Sequence, residues 1–168
     1  VEVARFWASI GSYDKAADRY DIRGIMGPDE FHDRYPWRDE PGLDNNAYTN
    51  LMAAWTLRRA VDVLDLLGVE RRRELEHLLA ISREETARWD EISRKMRIVF
   101  LDGGIIAQFE GYDRLEELNW DAYREKYGDI HRLDRILEAE GDTVNRYKAS
   151  KQADVLMLFY LFSYDELR

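Results

Sequence analysis

Apolar residues recur at helical spacing through most of this chain, and the stretches between them read as loops. Val3, Phe6, Trp7 and Ile10 predict the end of an amphipathic helix over residues 2–10. From Arg19 to Leu43 no period persists. This stretch holds all three prolines (Pro28, Pro36, Pro41) among Gly24, Gly27, Tyr35 and Trp37, and predicts a long loop with a short strand at Tyr20–Ile25. A loop of that length within a compact domain is uncommon unless it is functional or disordered, and its aromatic content argues against disorder. Ala47, Tyr48, Leu51, Met52, Trp55, Val61, Leu64 and Leu67 then form one broad apolar face. The helix they predict starts at Asp44 or Asn45, both good N-cap types, and stops at Gly68.

Further helices are expected over Arg71–Leu79 and Arg83–Ile98, the second opened by a Ser82/Glu85 capping box. Gly103-Gly104 breaks the pattern, and residues 105–114 read as irregular or weakly extended. Short helices follow at Asp121–Tyr127 and Arg132–Glu140, and a last one at Lys151–Phe162 with Ser150 as N-cap. No repeat or low-complexity tract is visible. The fold class predicted is all-α with long functional loops on one side. Val1 opens the chain directly into a helical pattern, and Arg168 follows a strongly apolar run, so a piece of a longer protein is expected.

Composition narrows the function classes. The chain has 168 residues, 45% hydrophobic and 35% charged, which suits a packed core rather than disorder. A net charge of -9 repels phosphate backbones and anionic headgroups, so neither nucleic acid nor membrane is expected as a partner. Absence of cysteine rules out disulfide and thiol chemistry and accords with a cytoplasmic location. The three histidines, His32, His77 and His131, lack metal-ligand spacing, so no metal site and no cofactor are expected.

Chemistry concentrates in three places. Gly27-Pro28-Asp29-Glu30-Phe31-His32 puts two carboxylates on a stiffened turn near Tyr35 and Trp37. Aromatic rings give a sugar an apolar face, and they desolvate a carboxyl so that its neutral, proton-donating form is favoured. On the tetrapeptide alone a capped turn is the plainer reading; the residue pattern and the length of the loop lift the catalytic reading level with it. Ser150-Lys151-Gln152 places a cation in a first helical turn, against the helix dipole. A solvated surface lysine is the plainer reading there. Gln108-Phe109-Glu110-Gly111-Tyr112 has the composition of a sugar-pocket wall and equally of a buried turn.

Five blocks in order carry a resemblance: Arg5-Phe6-Trp7-Ala8-Ser9, Gly24 through His32, Asn45 through Asn50, Gln108 through Tyr112, and Lys151-Gln152-Ala153-Asp154-Val155. They resemble glycoside hydrolase family 65, whose members include maltose, trehalose, kojibiose and nigerose phosphorylases and some α-glucoside hydrolases. The stretch from Tyr35 to Asp44 is most similar to members fused to, or encoded beside, a β-phosphoglucomutase. The resemblance implies a segment of one catalytic (α/α)6-barrel domain, lacking the family's N-terminal β-sandwich and C-terminal segments. It implies Glu30 as general acid and Lys151 and Gln152 as ligands of the glucosyl unit. His32, Glu110 and Asn46, in the same blocks, are expected to contact substrate. The implied reaction is inverting phosphorolysis of an α-glucosyl disaccharide, with inorganic phosphate as co-substrate, in a protein that is often a homodimer. The alternatives are an acid-trehalase-like hydrolase and a non-catalytic helical interaction module. The family's phosphate loop and a Trp-Asp pair fall outside these residues, so the isolated segment is expected to be inactive.

Overall fold

The computed structural model describes residues 1–163 and 165. Among them regular structure is mainly helical: seven α-helices against four strands of two or three residues. No described helix is long and apolar enough to cross a membrane. The chain divides into two compact units, Val1–Arg23 with Thr49–Ile98, and Gly24–Tyr48 with the residues from Val99 onward.

The first unit carries α1 (Glu2–Ile10), the hairpin β1 (Ser12–Asp14) and β2 (Arg19–Asp21), then α2 (Ala47–Leu66), α3 (Val69–Leu78) and α4 (Arg83–Lys95). Helix α4 packs against α1 and β2. Its register follows from its ends and its stripe. Ser82 Oγ accepts the Glu85 N–H at 3.1 Å, acids fill the first turn and bases the last, and Trp89, Ile92 and Met96 are buried. The expected continuation to Ile98 does not occur. Met96 and Arg97 leave the helix to bridge β2: Arg97 N donates to Tyr20 O at 2.9 Å, and its guanidinium binds Asp21 and, at 2.7 Å, Asp14.

Two helix starts also differ from expectation. Helix α2 begins at Ala47 because Asn45 takes φ +51°, outside the helical range. Gly68 does not end α2 in a left-handed turn. At φ -59° and ψ 149° it is extended backbone, and its carbonyl accepts the first bond of α3, from Arg72 N at 2.9 Å. The strand placed at Tyr20–Ile25 is instead Arg19–Asp21, paired antiparallel with β1.

The second unit holds the long loop, the small hairpin β3 (Phe100–Leu101) and β4 (Ile105–Ile106), and helices α5 (Trp120–Tyr127), α6 (Leu133–Ala139) and α7 (Asp154–Leu161). The loop is ordered by its aromatics, as its composition predicted. Buried Tyr35 accepts the Asp44 N–H at 2.9 Å and donates to Glu110 O at 2.8 Å. Tyr35, Leu43, Phe109 and Leu115 make one apolar cluster; Phe31, Leu118, Leu133, Leu137 and Ala149 make another. Backbone pairing of Ile25 with Leu43 closes the loop's base. Gly42 sits there at φ +99°, and a Cβ would fall 2.4 Å from the Gly24 carbonyl carbon, so only glycine fits.

Helix α7 starts at Asp154, three residues later than expected, and Ser150 does not cap it. Lys151 and Gln152 therefore lie on a bend ahead of the helix, and the supposed conflict between Lys151 and a helix dipole does not arise. The approach to that bend is strapped down by Glu116, whose N–H donates to Arg146 O and whose carbonyl accepts from Lys148 N, both at 2.8 Å.

Candidate functional site

The turn at Asp29–His32 and the bend at Lys151–Gln152 meet in the second unit. Glu30 Oε2 accepts from Lys151 Nζ and Oε1 from Gln152 Nε2, each at 2.6 Å. The Glu30 N–H donates to Gln152 Oε1 at 2.9 Å. Glu30 remains 62% exposed and Lys151 40%, so this group opens to solvent.

Beneath it lies Asp29, almost fully buried. Its Oδ1 accepts the N–H groups of Lys151 at 2.9 Å, and of Gln152 and Phe31 at 3.3 Å. Its Oδ2 lies 2.9 Å from His32 Nδ1 and accepts from Gln108 Nε2 at 2.9 Å. Burial pushes the Asp29 carboxyl up, but these donors outweigh it and hold it down at about 2. One buried carboxylate thus ties together a turn and a bend far apart in sequence. The two residues that bracket its neighbour Glu30 are held by their own backbone N–H groups.

Glu30 itself differs from the sequence expectation. The hydrogen bonds from Lys151 and Gln152, with the charges of Lys151 and Arg132, hold its carboxyl below the ordinary range. Desolvation opposes them and is outweighed, and the rings named for that task pack mainly elsewhere. Phe31 is buried in the cluster with Leu133 and Leu137, and Trp37 stacks on Tyr35 at 5.0 Å. In this structure Glu30 is an ionised, hydrogen-bonded carboxylate.

The remaining predicted residues divide. Glu110 is exposed, and its Oε2 accepts from Asn45 Nδ2 at 2.7 Å. His32 and Asn46 are both only 1% exposed, and in this structure their side chains are engaged with protein groups. His32 spans Asp29 and the Tyr147 carbonyl, with Nε2 3.0 Å from that oxygen. Asn46 Nδ2 donates to Asp154 Oδ2 at 3.4 Å. Asn46 also fills the space beside Gly27: a Cβ there would lie 2.3 Å from its Nδ2, which is why a glycine opens the Gly27–Glu30 turn. Both side chains support the site from behind.

Two participants were not singled out in the sequence. Asp154, in the first turn of α7, is buried, and burial pushes its carboxyl up. An acid at the head of the otherwise apolar run Val155–Leu161 was the available signal. Asn145 accepts from Asp33 N at 3.1 Å and donates back to Asp33 Oδ1 at 2.9 Å, a lock on the loop with no local signature. No group of three or more metal-ligating side chains is present among the described residues. The arrangement offers one accessible carboxylate with a cation and an amide on its oxygens, suited to proton transfer and to hydroxyl recognition.

Known proteins resemble this sequence. An uncharacterized glycosyl hydrolase of Mycobacterium tuberculosis (strain H37Rv) is 57% identical over 167 residues, 99% of this chain and 12% of its own length. The trehalose 6-phosphate phosphorylase of Lactococcus lactis is 38% identical over 160 residues, 95% of this chain and 19% of its own length. The chain therefore spans a fifth or less of these relatives. A solved structure of a candidate kojibiose phosphorylase from the human microbiome superposes over 99% of the chain, and 22% of its own, with a TM-score of 0.72 at 24% identity, so the helical fold is shared. Residues 1–167 match the profile of the glycosyl hydrolase family 65 central catalytic domain, and the chain belongs to that family.

Proposed function

We propose that these residues are part of an (α/α)6 catalytic barrel that phosphorolyses an α-glucosyl disaccharide of the trehalose, kojibiose or maltose type. The products are β-glucose 1-phosphate and a free sugar, with inversion at the anomeric carbon. The observation that carries the reading is the placement of Glu30 between Lys151 and Gln152, exposed and bonded to both. The names of the relatives, which include phosphorylases of trehalose 6-phosphate, kojibiose and maltose, support it.

Glu30 acts as general acid and protonates the bridging oxygen of the departing sugar. Ionised while Lys151 and Gln152 bond its oxygens, it takes up a proton from solvent as substrate binds. Sugar hydroxyls draw Lys151 and Gln152 away from its oxygens, and the sugar rings displace water, and both changes raise its pKa. Inorganic phosphate, already an anion, attacks the anomeric carbon from the opposite face. An inverting hydrolase would instead need a carboxylate free to activate water. Asp29 does not suit that task, since N–H groups already occupy both its oxygens.

The test is Glu30→Gln in the full natural polypeptide that contains these residues, assayed for phosphate consumption with each disaccharide. Turnover falls by roughly 10²- to 10⁴-fold while sugar binding and melting temperature persist, since Glu30 is exposed. Unchanged turnover removes Glu30 as the acid. Sugar release that ignores phosphate replaces the phosphorylase reading with a hydrolase.

A further inference from the structure

His32 is buried, and both nitrogens of its ring face oxygen. Nε2 lies 3.0 Å from the Tyr147 carbonyl oxygen, and Nδ1 lies 2.9 Å from Asp29 Oδ2. A carbonyl oxygen can only accept, so Nε2 carries a hydrogen. One proton remains to be placed on the line between Nδ1 and Asp29. Burial pushes the Asp29 carboxyl up, but His32 and four N–H groups, from Gln108, Lys151, Gln152 and Phe31, hold it down at about 2. Donors favour the charged form of the group they meet, so the carboxylate stays bare and the proton belongs to Nδ1. The ring then donates from both nitrogens and is a cation.

A buried charge is costly unless it is paired and hydrogen-bonded. Asp29 supplies the counter-charge in direct contact, and the two acceptors take both ring hydrogens. The other titratable groups around the pair are Tyr112, with its ring centroid 6.2 Å from that of His32, and Asp154, near enough for the Asp29 charge to act on it. Neither of them brings a positive charge. A neutral ring would fail at one end. With its hydrogen on Nε2 alone, the Nδ1 lone pair faces a carboxylate; with its hydrogen on Nδ1 alone, the Nε2 lone pair faces a carbonyl.

The two bonds have a joint consequence. Tyr147 O also accepts the Ala149 N–H at 2.8 Å, and Asp29 accepts the N–H groups of Lys151 and Gln152. The segment from Tyr147 to Gln152 is gripped at its start by His32 and at its end by Asp29, and the ring joins the two grips. We propose that His32 is a doubly protonated imidazolium that positions Lys151 and Gln152 against Glu30. It is a positioning residue, acting through the segment it holds. Its effect on turnover rests on Glu30 being the acid, whereas the charge of the ring does not.

Neutron diffraction from crystals of the perdeuterated full natural polypeptide reads the protons directly, at about pH 7, where a solvated imidazole is mostly neutral. Deuterium is expected on both ring nitrogens of His32 and on neither oxygen of Asp29. A bare ring nitrogen, or deuterium on Asp29, overturns the proposal. Three variants read the positioning. His32→Phe keeps a ring without N–H groups, His32→Asn keeps a donor near the Nδ1 position, and His32→Gln keeps one near Nε2. Turnover falls by roughly 10²-fold in His32→Phe, the scale of a small misplacement of reacting groups, and by less in the two amide variants. The amide variants also carry the test if His32→Phe fails to fold. In each folded variant the Glu30 carboxyl, followed by NMR titration, moves upward as Lys151 and Gln152 drift from its oxygens. A folded variant in which Glu30 titrates as in wild type overturns the positioning role. So does a His32→Phe variant as active as the amide variants, since ring volume alone then suffices. Failure of the Glu30 reading shows separately, as turnover that survives Glu30→Gln with the deuterium and the Glu30 titrations as expected.

Discussion

The carboxylate of Asp29 accepts the backbone N–H of Lys151 at 2.9 Å, across 122 positions of sequence. That bond, with its neighbours on the same carboxylate, fixes where the lysine side chain emerges, and the lysine fixes Glu30.

Asp29→Asn tests the clamp through stability. The folded carboxyl titrates at about 2 against an ordinary 3.8, so its contribution is fully present above about 3.8 and is lost as pH falls toward 2. That depression corresponds to about 2 kcal/mol. Wild type therefore exceeds the variant by about that much in urea unfolding at pH 7, and the gap narrows below pH 4. A gap that stays constant down to pH 3 would mean the buried group is not charged in the fold.

Lys151→Met removes the leading cause of the low Glu30 pKa. Loss of a cation that favours the ionised form moves the carboxyl upward. Carboxyl-resolved NMR titration of the Lys151→Met variant should show that rise, and Gln152→Leu should give a smaller one in the same direction. A Glu30 resonance that titrates unchanged would show that the ion pair does not govern its charge.

Gly27→Ala introduces a methyl into space held by Asn46. Because Asn46 is fully buried and bonded to Asp154, it has little room to yield. The variant loses roughly 1–3 kcal/mol, the usual cost of overpacking, and turnover drops as the Asp29–Glu30 turn shifts. Thermal unfolding and the phosphate assay together check this; a fully stable and active variant would show the packing to be slack.

The helices were largely legible because their signals are local. The Ser82 cap and the stripe through Trp89 and Ile92 place α4 from residues that are neighbours in sequence. Misread ends have one common cause. Lys95 ends α4 because Arg97 is drawn to β2, and α7 waits until Asp154 because Lys151 and Gln152 are held on a bend by Asp29 and Ala153 keeps non-helical backbone angles. No local window contains those partners.

The sequence by itself determined that the chain is helical, which loop bears the carboxylates, and which motif blocks join it to its family. Only the tertiary structure decided their charges and roles. A carboxyl's ionisation depends on the donors and solvent around it, and these arrive from distant segments. So Glu30, expected neutral among aromatics, is ionised between Lys151 and Gln152, while its neighbour Asp29 is the residue that is buried.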